Sequence, residues 1–267
     1  MPNYIKNRLT IKGKNAKEII QKHLDNEGDF DFNTIETMPD DLRIECGTRT
    51  RDGIDLYIAS ITSPEKIIDE HKVEELKKRN EGNLEDTIEL GKRAFENLQK
   101  YGFATWFDWS IHHWGCKWNA GETKVDGETI EFLTAWTPPS PVIQKLAEMH
   151  KDFSFEHEWA DEDNGRVTGR AEYKNGTCVS FEKFVDYSKE AYELSFKLWG
   201  NANEFRFNEK TKTYEYIGDF QCKRPQKKRK RWKRLKKLLW KLGKLPCQPS
   251  RKRNCTSLPL PSPKRGR

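Results

Sequence analysis

The chain has no run approaching the roughly 18 to 20 consecutive apolar residues that a membrane-spanning helix requires. Its opening, MPNYIKNRLTIKG, holds no apolar block of the kind a secretory signal carries. Both absences lead to the expectation of a cytoplasmic protein. Cysteine is sparse and unpatterned: Cys46, Cys116, Cys178, Cys222, Cys247 and Cys255 form no CxxC pair, so reduced thiols are expected and a disulfide framework is not. The motifs GxxxxGK[ST], GxGxxG and HExxH are missing, which removes the first element of a nucleotide-binding or zinc-protease reading. No cofactor and no small-molecule substrate is implied.

Acidic residues also stop early. From Lys223 to the end there are 19 Lys and Arg and no acid, which leaves 30 basic against 42 acidic residues in positions 1–222, a net charge of −12. An acidic body repels polyanions, so affinity for nucleic acid or an anionic membrane is expected in the tail. Segment 227–244, KKRKRWKRLKKLLWKLGK, places Trp232, Leu235, Leu238, Leu239 and Leu242 on one helical stripe. Against it stand Lys227, Lys228, Arg229, Lys230, Arg231, Lys233, Arg234, Lys236 and Lys237. Such a helix suits nucleic-acid phosphates, an anionic bilayer or a calmodulin-type groove. Residues 245–267, rich in proline, have linker composition. An abrupt acid-free tail is also what a shifted reading frame through a GAA- and GAG-rich region would encode.

What the body does have is periodicity. Residues 4–12 alternate as a strand, 16–24 carry a helical stripe, and 29–37 alternate again through Phe30, Phe32 and Ile35. Residues 55–61 fit a short strand or a helical turn, and Gly47 and Gly53 mark loops. Helices are expected over 64–79 and 84–101, the second with Leu84, Ile88, Gly91, Phe95 and Leu98 inward and Gly102 as its stop. A short helix to about His112 precedes a hairpin around Asp126-Gly127. Its second strand turns Ile130, Phe132, Thr134 and Trp136 to one face. Ser140 caps a helix over 142–150 with Pro141 at N1, and strands follow over 153–159 and 166–173. A helix over 187–199, with Ala191, Leu194 and Leu198 inward, and a hairpin over 205–217 close the body.

Two strand–helix–strand units folded together give an α+β, ferredoxin-like split βαβ sheet with helices packed on one face. The expected organisation is an N-terminal α/β part over 1–103, a ferredoxin-like part over 104–220 forming one unit with it, and the basic tail over 221–267.

Five of nine tryptophans lie in one stretch: Trp106, Trp109, Trp114, Trp118 and Trp136. Exposed, they could stack bases or dock a protein; packing in the core or an interface is the plainer role. His112, His113 and Cys116 are the best metal candidates, but adjacent histidines on extended backbone point to opposite faces, so only one would join Cys116, and a fourth ligand from His157 or Cys178 would have to arrive through folding. Cys116 with His113 is also the thiol-nucleophile candidate, with no local signature beside it. Asp161, Glu162 and Asp163 read as a solvated turn.

The opening Met1-Pro2-Asn3 with Ile11-Lys12-Gly13, the segment FDFNTIETMPDDLRIECG (30–47) and the pair WSIHHWGCKWN (109–119) and FLTAWTPP (132–139) resemble the YubB-type proteins of phages and plasmids. The resemblance covers roughly residues 1–218 and departs from the family pattern at His113 and Cys116. It implies a ferredoxin-like domain, a mobile-element origin and no catalytic residues. The expectation is a non-enzymatic accessory protein that binds another macromolecule, in the first place a protein. Nucleic-acid binding through the tail and a Cys/His-centred or metal-dependent enzyme are the alternatives.

Overall fold

The computed structural model describes residues 3–62 and 70–218. Lys227 to Lys237 and the rest of the basic tail lie outside the described residues, as does the start expected for the helix over 64–79. The body forms one compact unit ending at Gly218.

Its centre is the first strand, β1 (Tyr4–Lys12), in which Ile5, Asn7, Leu9 and Ile11 alternate inward and are almost fully buried. The hairpin β2 (Gly121–Asp126) and β3 (Thr129–Ala135) lies on one side of it, and β4 (Ser154–Asp161) lies on the other. The strands β5 (Gly169–Lys174) and β6 (Thr177–Lys183) extend the sheet to an order of β2-β3-β1-β4-β5-β6, antiparallel throughout. Order β2-β3-β1-β4, with one crossover from β1 to β2 and another from β3 to β4, is the ferredoxin-like split βαβ arrangement.

The crossovers are unequal. The second holds only α6 (Ser140–Met149), whereas the first carries α1 (Ala16–Lys22), α2 (Thr48–Ile61), α3 (Glu70–Arg79), α4 (Leu84–Tyr101) and α5 (Trp106–His113). Residues of α1, α5 and α6 pack with the inward side chains of β1, β3, β4 and β5 in one core. On the opposite face lies α7 (Lys189–Trp199), whose Leu194 and Leu198 cover Ala160 and whose Trp199 Nε1 donates to the Ala160 carbonyl at 3.2 Å. Elsewhere that face is polar: Lys6 and Arg8 pair with Glu131, and Lys197 pairs with Glu158. A two-stranded hairpin, β7 (Phe205–Asn208) and β8 (Thr213–Tyr216), ends the body.

Four local expectations are corrected. Residues 29–37 are not a strand, because the Asp31 carboxylate accepts from the Asn33 backbone N–H at 2.9 Å and starts a 3₁₀ turn over Phe32–Thr34. That local bond outcompetes a ladder, while Phe30, Phe32 and Ile35 are buried all the same. Residues 48–61, including Gly53, form one helix and hold neither a strand nor a loop at that glycine. Ser140 opens α6 as a helical residue and makes no side-chain cap. The stripe on α4 is Thr87, Gly91, Ala94 and Asn97, with Leu98 exposed.

The α4 stripe is displaced because α2 and α4 cross at two glycines. A Cβ on Gly53 would overlap the Thr87 carbonyl, and one on Gly91 would overlap the Gly53 backbone. Small residues therefore face the partner helix and the larger ones flank it. Gly91→Ala is expected to destabilise the protein by about 1–3 kcal/mol through overpacking, read as a lower urea midpoint. An unchanged midpoint would mean that the two helices do not meet there. The end of α4 is tied back to the body: Asn97 Nδ2 donates to the carbonyls of Asp41 (2.8 Å) and Ala104 (3.3 Å).

Candidate functional site: an aromatic surface around Lys117

Helix α5 starts where the Thr105 hydroxyl accepts from the Phe107 N–H. It buries Trp109, and Trp114 just beyond it is 3% exposed. Gly115 then turns the chain at φ +83°, a left-handed conformation, with Pro141 where a Cβ would stand. The Thr137 hydroxyl donates to the Gly115 carbonyl at 2.6 Å, and the Thr134 hydroxyl donates to the Thr137 carbonyl at 2.8 Å. So the two halves of the tryptophan signature clamp each other.

The segment over 29–38 is held by the same clamp. Trp114 Nε1 donates to the Glu36 carbonyl at 2.9 Å, and Asn119 Oδ1 accepts from the Phe32 N–H at 2.8 Å. Asn119 Nδ2 donates to the Asp31 carboxylate at 2.6 Å. Burial alone would raise the Asp31 carboxyl, but the bonds from Asn33 and Asn119 outweigh it and hold it below its ordinary value. Trp114 and Asn119 are thus parts of the scaffold.

The five tryptophans divide. Trp109 and Trp114 are core, Trp106 is partly buried against it, and Trp118 and Trp136 are each 40% exposed. The expectation that Trp136 lies on the buried face with Phe132 and Thr134 is corrected: its φ is +74°, which swings it out of strand geometry. A bulky residue rarely adopts that conformation, and such strain persists only where surrounding bonds impose it. Here the Trp136 N–H donates to the Asn3 carbonyl at 3.0 Å.

Between the exposed indoles stands a half-buried lysine. Lys117 Nζ lies 4.3 Å from the Trp136 ring centre, 4.6 Å from that of Trp118 and 5.8 Å from that of Phe107. Phe107 and Trp136 meet edge to face at 6.2 Å. No carboxylate among the described residues pairs with this ammonium. The sequence offered the two tryptophans as candidates; Lys117 and Phe107 were missed, although adjacent Lys117-Trp118 was a visible cue.

His113 and Cys116 are not brought together as a reaction centre. The Cys116 side chain is fully buried, and its thiol donates to the Trp118 carbonyl at 3.2 Å. Burial pushes its pKa up to about 12, the reverse of what an activated nucleophile needs. His113 stacks on Trp109 at 4.4 Å and has Nδ1 3.5 Å from the Glu36 carboxylate, which Lys145 also pairs with. His157 bonds to Asn7 inside the core, and Cys178 is exposed on β6. Asp161 accepts from Asn3 Nδ2 and from the Asp163 N–H in the turn after β4. Among the described residues no group of three or more His, Cys, Asp or Glu could hold a metal ion. No helix among them is long and apolar enough to cross a membrane. A cleft of about 400 Å³ between residues 43–49 and α4 balances Arg43, Arg49 and Arg93 against Glu45, Asp86 and Glu89, away from the signature.

Sheet order and helix placement define an α+β protein with a ferredoxin-like domain. Residues 113–217 match the family model described as the ferredoxin-like domain in Api92-like protein. Among solved structures the chain is similar to protein api92 from Yersinia pseudotuberculosis, at 12% identity, over 69% of this chain and 99% of that one, with a TM-score of 0.36. No curated protein matches it.

Proposed function

We propose that this chain is a non-enzymatic accessory protein of a phage or plasmid that docks another protein on the Phe107–Trp118–Trp136 surface. The observation that carries the reading is the pair of exposed indoles fixed on either side of an ammonium that no carboxylate among the described residues pairs with, one of them on strained backbone. Aromatic residues dominate the energetics of protein interfaces, and large exposed apolar groups gathered at one place mark binding surfaces. Support for the origin is the likeness of the 30–47 and 109–139 segments to YubB-type proteins. The double variant Trp118→Ala, Trp136→Ala removes half-exposed rings, so its thermal midpoint should stay close to that of the parent. Affinity capture from the host with parent and variant side by side should then show at least one protein depleted about tenfold or more with the variant. Identical capture profiles would sink the proposal.

A second reading rests on the tail, with its 19 positive charges and no negative ones. If it covers six or more phosphates, DNA affinity should fall about 10³-fold or more between 50 and 200 mM salt. Truncation at Cys222 should abolish that binding. A truncated chain that binds DNA as tightly as the whole one ends this reading.

A further inference from the structure

Resting on the docking surface just proposed, we infer that the partner delivers a single carboxylate, an Asp or Glu side chain of a peptide segment, to the Lys117 ammonium. Flanking apolar side chains of the same segment would lie on Trp118 and Trp136.

The inference starts from an imbalance. Residues 1–222 hold 42 acids, and most basic side chains in the sheet have taken one: Lys6, Arg8, Lys12, Arg170 and Lys174 all stand in ion pairs. Lys117 is half-buried, surrounded by three rings and paired with no acid among the described residues. Ring faces compensate a partly desolvated cation only in part. A carboxylate arriving there would meet an ammonium already stripped of some water, which is where a charge-assisted hydrogen bond is strongest. The rings at 4.3 and 4.6 Å hold the amine in place, so little side-chain freedom remains to be lost on binding.

A phosphate chain offers the same charge but fits less well. The rim beside Trp136 is acidic: Asn3, which accepts from the Trp136 N–H, donates to Asp161, and the next backbone N–H, that of Tyr4, lies 3.3 Å from the Glu162 carboxylate. A nucleic acid running past Lys117 would carry repeated negative charge across that rim and over a body of net charge −12. One carboxylate on an otherwise neutral peptide avoids the repulsion.

The test uses the full chain and two immobilised nonapeptide pools that differ only at the centre, X4-Glu-X4 and X4-Gln-X4, with a fluorescent dT20 oligonucleotide as a third probe. The Glu pool is expected to retain the protein at least tenfold better, and Lys117→Met and Trp118→Ala/Trp136→Ala should each erase the difference. Equal retention by the two pools, lost in the double tryptophan variant and untouched by Lys117→Met, overturns the carboxylate inference and leaves the docking surface standing. No pool retained above the double tryptophan variant overturns both. Binding of dT20 that weakens tenfold in the double variant also overturns the inference, because it makes nucleic acid the occupant.

Discussion

A chain beginning at Thr105 and ending at Gly218 is expected not to fold, although it contains the whole of the matched segment 113–217. Strands β3 and β4 do not pair with each other; each pairs along its length with β1, from Tyr4↔Ala135 to Thr10↔Thr129 on one side and Ile5↔Asp161 to Lys12↔Ser154 on the other. Removing β1 leaves two interior edges open and empties the middle of the core of Ile5, Leu9 and Ile11. At about 1.5–3 kcal/mol for each buried aliphatic side chain, that loss alone rivals the whole stability of a domain, about 5–15 kcal/mol. Replacing residues 47–96 by a short Gly-Ser linker should do far less. Its ends are close, because Asn97 bonds to the Asp41 carbonyl, and α2, α3 and most of α4 lie outside the main core. The readout is amide dispersion in NMR and a cooperative urea transition. A dispersed spectrum from the 105–218 chain would refute the view that β1 completes the sheet.

This contiguity explains which parts of the fold were legible in sequence. Strands with strict alternation, β1, β3 and β4, and the helices α4, with its stop at Gly102, and α7 were readable because each carries its own period. The ferredoxin-like arrangement was reached, but with residues 29–37 serving as a strand. Their alternation is real and serves burial under the sheet, with Asp31 and Asn119 bonding the backbone that a ladder would have used. Strand β6 went unread although Val179 and Phe181 alternate with Ser180 and Glu182; it is exposed along its whole length, so no buried face accompanies that alternation. The glycine crossing of α2 and α4 was hidden for a related reason. Periodicity arguments look for large apolar residues, and this interface is made by removing them.

The candidate surface was half legible. Composition pointed to the indoles, yet composition cannot separate Trp114, whose Nε1 is used on the Glu36 carbonyl, from Trp118, whose ring meets Lys117. That separation depends on Gly115, which reverses the chain between them, and on the left-handed turn at Trp136. His113 and Cys116 drew attention as reactive types three residues apart. Folding sends the thiol inward to a carbonyl and the imidazole onto Trp109.

Acid should weaken the protein between pH 6.5 and 4, before its carboxylates titrate, because two imidazoles are buried neutral. The His157 side chain is fully buried on β4, with Nε2 3.0 Å from Asn7 Oδ1 and no partner at Nδ1 among the described residues. Asn7 Nδ2 donates to the Ile5 carbonyl and the Thr134 hydroxyl, so its oxygen faces the ring and assigns the proton to His157 Nε2. A second proton would sit on Nδ1 with nothing to accept it, and burial accordingly lowers the pKa to about 3. His23, 1% exposed at the end of α1, is lowered to about 4 by burial first and then by His150 and Lys22. Its Nδ1 bonds the Thr34 hydroxyl at 2.7 Å, which itself donates to the Asp31 carbonyl; its Nε2 faces His150 Nε2 at 3.0 Å, a contact that admits one proton and not two. The unfolded chain takes up protons at its histidines near pH 6.5, and the folded chain does so only near 3 to 4, so stability is full above 6.5 and declines as pH falls. At about 1.4 kcal/mol per unit, the two sites should together remove roughly 2–4 kcal/mol between pH 7.5 and 5. Asp31 and Glu131, held below ordinary carboxylate values, lose their contribution only at lower pH. Urea midpoints at pH 7.5 and 5.0 measure the decline. His157→Gln keeps a polar partner for Asn7 and cannot titrate, so its midpoint should move about half as far between the two pH values. A variant that retains the full acid sensitivity of the parent would show that His157 is not its source.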